Sequence, residues 1–300
     1  MARIRPRRAV LFALFRVFAF CIFILPLNAA LRLGCLGGRL CFHVLKRERV
    51  KALNNLNIAF GDAKTPEEKK SIALKVFENL GKNLVEVICL SKFNVRNIDR
   101  YIACGDGIGR IRDMISGGKG LIAVSAHFGN WELLAHYLAM KGLPVNVIAR
   151  RVRMEGLERF LSGIRKRNNV KVIYRDSSAK EAIDLLRKGG CLGIMPDQDM
   201  DSVKGVFVDF FNKKAYTPSG PAVLNYLTGS PIVCFFMVRR GFGHEILVEG
   251  PLRLAGGGPD RDKDILENVR SYTRIIENHV RKFPSHWVWF HDRWKTKEPQ

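Results

Sequence analysis

Residues 121–140, LIAVSAHFGNWELLAHYLAM, pass from an unbroken apolar stretch through a short polar turn into a pattern of helical period. A continuous apolar run of about 4–8 residues that ends in a turn suits a strand buried on both faces, and such strands belong to parallel sheets covered by helices. Asn130 is a good N-cap, with Trp131 and Glu132 in the first turn that follows it. The stretch therefore predicts a β-strand that feeds through HFGN directly into an α-helix.

The same alternation recurs down the chain. Apolar runs at 145–149, 170–174, 191–195 and 231–238 alternate with helix-like segments near 131–141, 154–168, 178–188 and 218–228. Strands and helices of this size predict an α/β fold, with one catalytic domain over 46–300 built on a mostly parallel or mixed central sheet flanked by helices. Upstream, Thr65-Pro66-Glu67-Glu68 is a capping box with proline at the first helical position, and apolar spacing from Ile72 to Ile88 carries that helix to about Ser91. EILVEGPL (245–252) reads as an added edge strand, and apolar positions from Ile265 to Phe283 mark an amphipathic helix stopped by Pro284. CGDGIGR (104–110) lacks the third glycine of a dinucleotide loop and follows no convincing strand, so no nucleotide site is expected there.

The N-terminus differs in kind. MARIRPRR is followed by an apolar stretch over 9–27 interrupted only by Arg16, long enough for a bilayer and longer than the core of a signal peptide. Residues 1–45 are therefore expected to be a basic, hydrophobic membrane-anchor helix. Arg3, Arg5, Arg7 and Arg8 before the stretch are balanced by Arg32, Arg39, Lys46, Arg47 and Arg49 after it, so charge does not orient it. A single span and a helix dipping into one leaflet, with Arg16 snorkelling and NAALRLGCLGGRLCFHVL alongside, both remain open.

Lys and Arg number 50 against 28 Asp and Glu, a formal net charge of +22 that calls for anionic partners. The basic residues form no tail and no recognisable nucleic-acid motif, so nucleic acid is not expected. Seven cysteines, an odd number without a C-x-x-C pair, argue against a disulfide or zinc framework.

In an α/β sheet, ligands gather beyond the carboxyl ends of strands, and His127 is the first large polar residue past the strand at 121–126. A neutral imidazole can take a proton from an attacking alcohol while a carboxylate fixes its tautomer. His127 and Glu132, five apart, would splay by roughly 140° on a continuous helix, so they meet only if His127 lies in the turn before it. Gly129 would let a substrate approach the main chain. The alternatives are a turn histidine beside a cap, or a pairing of Glu132 with His136. No His or Cys follows at ligand spacing, so no metal is expected.

HFGNWE resembles the H-x-x-x-x-[DE] motif of the lysophospholipid acyltransferase superfamily, and its surroundings resemble the lipid A biosynthesis acyltransferase branch. The similarity includes NLNIAFGD (55–62), VIAR (147–150), GIMPDQD (193–199), VFVDFFNKKAYTPSG (206–220) and HWVWFHDRWKTKEP (286–299), in that order. It implies transfer of an acyl chain from an acyl-carrier-protein thioester to a hydroxyl of an anionic lipid A precursor, with no other cofactor, at the cytoplasmic face of the inner membrane; the alternatives are another glycolipid or a lysophospholipid as acceptor, or a basic membrane-anchored binding protein. It further implies His127 as general base and Glu132 as its partner, with Arg150 meeting the acceptor and Asp197 and Gln198 lining the site. Phe128, Gly129, Asn130, Thr217 and Pro218 are further candidates for substrate contacts. Arg151 stands where that branch usually has proline, and RMEG (153–156) where it usually has Asn-Pro.

Overall fold

The computed structural model describes all residues except 1–5, 153, 176–178, 257–258 and 299–300, and only the backbone of 6–9 and 11. Arg3, Arg5, Arg153 and Pro299, and the side chains of Arg7 and Arg8, lie outside the described residues.

Four helices come first: α1 (Pro6–Ile24), α2 (Leu27–Val44), α3 (Lys46–Phe60) and α4 (Pro66–Ile88). The capping box at Thr65 forms as expected, with Thr65 and Glu68 each bonding the other's backbone N–H. Pro26 separates α1 from α2, so the apolar stretch over 9–27 is α1 closed off at its end, and α2 is a second helix after it. Among the described residues no helix is long and apolar enough to cross a membrane, and of the two alternatives the single span is not supported. The physical reason is local: the apolar part of α1 ends at Ile24 and carries Arg16 within it. α2 packs on α4 through glycine. A Cβ at Gly81 would collide with the backbone of Gly34, and one at Gly38 with the backbone of Phe77.

The chain continues with β1 (Ile102–Ala103), α5 (Gly107–Ser116), β2 (Leu121–Val124), α6 (Trp131–Met140), β3 (Val145–Ala149), α7 (Glu155–Arg167), β4 (Lys171–Tyr174), α8 (Ala179–Arg187) and β5 (Cys191–Ile194). Next come β6 (Gly205–Phe210), β7 (Lys213–Pro218), α9 (Gly220–Thr228), β8 (Ile232–Arg240), β9 (Gly243–Glu249) and α10 (Arg261–Lys282). The main sheet has the order β1-β9-β8-β2-β5-β3-β4. β8, β2, β5, β3 and β4 are parallel; β9 is antiparallel to β8, and β1 runs with β9. The 245–252 run is thus a sheet strand as expected, but β1 covers its outer side and it is not the edge. The segment 205–218 forms a separate antiparallel hairpin.

Side chains alternate across the sheet. Leu121 and Ala123 face a core shared with α6 and α7, whereas Ile122 and Val124 face a core shared with α8, α9 and α10. The chain therefore leaves β2 and β3 through helices on one face and returns through helices on the other. β2 and β5 are neighbours whose carboxyl-end connections depart to opposite faces, and a crevice opens at such a point.

Candidate active site

His127 follows β2 and Asp197 follows β5, so the crevice brings them together. One carboxylate oxygen of Asp197 lies 2.9 Å from His127 Nδ1, and the other accepts the His127 backbone N–H at 2.9 Å. Trp287 Nε1 donates to that second oxygen at 2.8 Å. Burial alone would raise the Asp197 pKa, but the bonds and charge of His127 and the Trp287 donor hold it below the usual carboxylate value. Burial likewise acts to lower His127, yet Asp197, with a contribution from Glu132, raises it above the ordinary imidazole value. With Nδ1 committed to Asp197, Nε2 is the nitrogen left for chemistry.

That nitrogen belongs to a side chain lining a cavity of about 590 Å3, within the ~300–1,000 Å3 of small-molecule sites. The rim at the carboxyl edge carries Arg150, Arg165, Arg175, Gln198 and Lys295. Deeper, Leu138, Val145, Val170, Cys191 and Phe235 line an apolar pouch between α6 and the sheet. It reaches the starts of β3, β4 and β5. A basic mouth leading to an apolar interior suits a molecule with an anionic head and a hydrocarbon tail.

His127 does lie in the turn before α6, as its spacing with Glu132 requires. The two side chains share no hydrogen bond, however: Glu132 makes a bidentate pair with Arg165 of α7, Nε donating at 3.0 Å and a second nitrogen in closer contact. The carboxylate on the imidazole is Asp197, from the opposite side of the crevice. Glu132 reaches His127 only through its charge. His136 is buried in α6 and not paired with Glu132.

The remaining candidates divide sharply. Arg150 and Gln198 line the cavity. Phe128 does not; it is buried against Phe236, His279 and His286. It also forms a bridge with Trp287, which draws it into the core. Gly129 has φ +59°, and a Cβ there would strike the carbonyl of Met237. The group that approaches its main chain is therefore β8, not substrate. Asn130 caps α6, its side chain accepting from Leu133 N–H at 3.1 Å, and is buried rather than open to the cavity. Thr217 accepts from Arg293 at 2.6 Å, and the Pro218 carbonyl accepts from Tyr272 at 2.7 Å. Both serve the β6–β7 hairpin and its neighbours, away from the cavity lining.

Sequence reasoning missed Arg165, Arg175 and Lys295 at the rim, and Trp287 as a donor to Asp197. Most of HWVWFH (286–291) is a packing cluster, with Trp287 and Trp289 edge to face at 4.7 Å.

Comparison with known proteins accords with this geometry. A family model described as bacterial lipid A biosynthesis acyltransferase matches residues 2–296. The chain is 27% identical over 276 residues to the lipid A biosynthesis lauroyltransferase of Escherichia coli K12, covering 91% of this chain and 87% of the relative. It is 25% identical, with the same coverage, to the lipid A biosynthesis palmitoleoyltransferase of that organism. A phosphatidylinositol mannoside acyltransferase from Mycolicibacterium smegmatis is 23% identical over 187 residues, 60% of this chain and 58% of the relative. The match extends over almost the whole chain, from the N-terminal helices to the segment that carries Trp287, and the chain belongs to the bacterial lipid A biosynthesis acyltransferase family, whose activity is acyl transfer.

Proposed function

We propose that the protein moves a fatty acyl chain from an acyl-carrier-protein thioester to a hydroxyl of a lipid A precursor, with His127 as general base. The observation that carries this reading is the His127–Asp197 pair at the crevice, whose imidazole lines a cavity with basic and apolar walls. The acceptor hydroxyl gives its proton to Nε2 as its oxygen bonds to the thioester carbonyl carbon. Asp197 holds the Nδ1–H tautomer and stabilises the imidazolium. The tetrahedral intermediate collapses by breaking the C–S bond, and the imidazolium returns the proton to the leaving sulfur. No acyl-enzyme forms, so none of the seven cysteines acts as a nucleophile.

The acyl chain occupies the apolar pouch, and Arg150 and Arg175 hold anionic groups at the mouth. Glu132 fixes Arg165 at that mouth and adds negative charge near the imidazolium. The acidic carrier protein and the phosphorylated acceptor are both drawn by the +22 net charge.

The enzyme works at the cytoplasmic surface of the inner membrane. Large apolar side chains are exposed along α1 (Leu14, Val17, Phe20, Ile24) and α2 (Leu36, Leu40, Val44), with Phe242 at the β8–β9 tip on the carboxyl edge of the sheet. Arg16 within α1 and Arg32 beside Phe242 suit a helix pair lying in one leaflet.

The test is acyl transfer by purified protein from acyl carrier protein to a lipid A precursor, followed by mass spectrometry of the product. A product bearing one added acyl group, lost in His127→Ala, is expected; its absence overturns the reading. The mycobacterial relative favours one second acceptor, a mannosylated phosphoinositide, and the same assay with that lipid separates the two.

A further inference from the structure

We propose that Glu86 and Asn83 of α4, with Arg239 of β8, form a buried positioning device that sets the turn between His127 and Glu132. It rests on the acyl-transfer reading for its kinetic consequence but not for its structural one. Residues 129 and 130 are the link between the histidine and the first turn of α6, and their polar groups are tied down by elements remote in sequence. The Gly129 carbonyl accepts from Asn83 Nδ2 at 2.7 Å, and the Gly129 N–H donates to the His286 carbonyl at 2.8 Å. Asn130, besides capping α6, donates from Nδ2 to Glu86 at 2.8 Å.

Those anchors are themselves joined. Arg239 gives two bonds of 2.7 Å to the Glu86 carboxylate and one of 2.8 Å to Asn83 Oδ1. Its backbone N–H donates to His286 Nε2 at 3.0 Å. His244 Nε2 adds a fourth contact to Glu86 at 2.8 Å. The turn's two polar anchors and its cap thus lead back to one ion pair, whose side chains are 2% and 6% exposed. Fixing the cap sets where α6 presents Glu132, and fixing Gly129 sets where the preceding His127 meets Asp197. None of these groups lines the cavity, so they act through the turn and touch no substrate.

The discriminating variant is Asn83→Ala, which leaves the Glu86–Arg239 charges intact and removes the bond to Gly129. Two readouts are taken on the full-length protein. The first is the histidine Nδ1–H proton resonance of the bond to Asp197, assigned by its loss in His127→Ala. The second is steady-state kinetics. Loosening of the turn is expected to broaden or abolish that resonance. Because a shift of about 1 Å can cost 100-fold, kcat should fall by about that factor with KM changed by no more than about threefold. Asn83→Gln, with its longer reach, should restore neither, whereas Asn83→Asp, which keeps only the acceptor side, should lose the Gly129 bond as Ala does. An unchanged resonance with wild-type kcat overturns the proposal. So does an activity loss that merely follows a fall in Tm while the resonance persists. If the wild-type protein transfers no acyl group, the function reading fails while the resonance still decides the positioning role.

Discussion

Asp197 and Glu86 lie at the two ends of one turn, 3% and 2% exposed, and each binds a histidine at 2.8–2.9 Å. Their histidines differ. His244, on Glu86, is 2% exposed at its side chain and sits opposite Arg239 in the β8–β9 pairing; His127, on Asp197, is 24% exposed and lines the cavity. Four donors converge on the two oxygens of Glu86, which burial pushes up but His244 and Arg239 bring down to about 2. A buried carboxylate with a histidine becomes a catalytic pair when the imidazole keeps one nitrogen open. With every partner enclosed, the same groups become scaffolding.

Mutations at the two ends put that contrast to separate tests. The largest effect is expected from His127→Ala, which should lower kcat by about 10⁴-fold, the upper range for general acid–base groups, with little change in Tm. Near-wild-type turnover would make both ends scaffolding. Next comes Glu86→Gln, which strands Arg239 and should cost about 3–5 kcal/mol of stability, read by denaturant unfolding. Its sign with pH is fixed. Because the folded Glu86 pKa is depressed, its stabilisation is present above the ordinary carboxylate value and is lost as pH falls toward about 2. Glu86→Gln should therefore flatten the acid side of the stability profile, and an unchanged acid limb would count against the pairing.

Asp197→Asn should lower kcat through loss of the tautomer lock, by at most the roughly 10⁴-fold of His127→Ala. The pH–rate profile adds a sign. The neutral imidazole is the active form and Asp197 raises its pKa, so activity should be lost as the pH is lowered through a value above the ordinary histidine pKa, and the Asn variant should move that acid limb downward. A limb that stays in place would remove Asp197 from the pair. The smallest change is expected from Arg150→Ala, about tenfold in the KM of the acceptor at unchanged kcat, as loss of uniform binding produces.

The sheet was legible in the sequence because buried parallel strands write themselves as short apolar runs. Residues 145–149 became β3 without adjustment, and the run at 121–126 was β2 plus the two residues leading to the site. The hairpin at 205–218 was not read as strands: in β6, the runs Val206 to Val208 and Phe210 are broken by Asp209, and the turn at Phe211 and Asn212 uses positive φ without glycine. At the site, position was legible and partnership was not. The strand-end rule located His127 and the crevice, but Asp197 and Glu132 are both carboxylates near it. Nothing in their spacing says that Glu132 meets Arg165 across from α7. Glu86 stands alone between Val85 and Val87, and two of its partners, Arg239 and His244, come from β8 and β9 more than 150 residues later. Gly129 was recognised as special for the right property and assigned the wrong neighbour, because the close approach is made by Met237.

The glycine contact between α2 and α4 has a mechanical consequence. Backbone lies on backbone where Gly81 meets Gly34 and where Gly38 meets Phe77, with little side chain there to bend or change rotamer. The two helices therefore behave as one rigid strut: its outer side carries the exposed apolar residues of α2, and two residues beyond Gly81 its other side begins to hold the turn before α6. Whatever surface seats α2 then gauges the height of His127 above it, and a larger residue at Gly81 would alter that height before it altered any contact in the cavity.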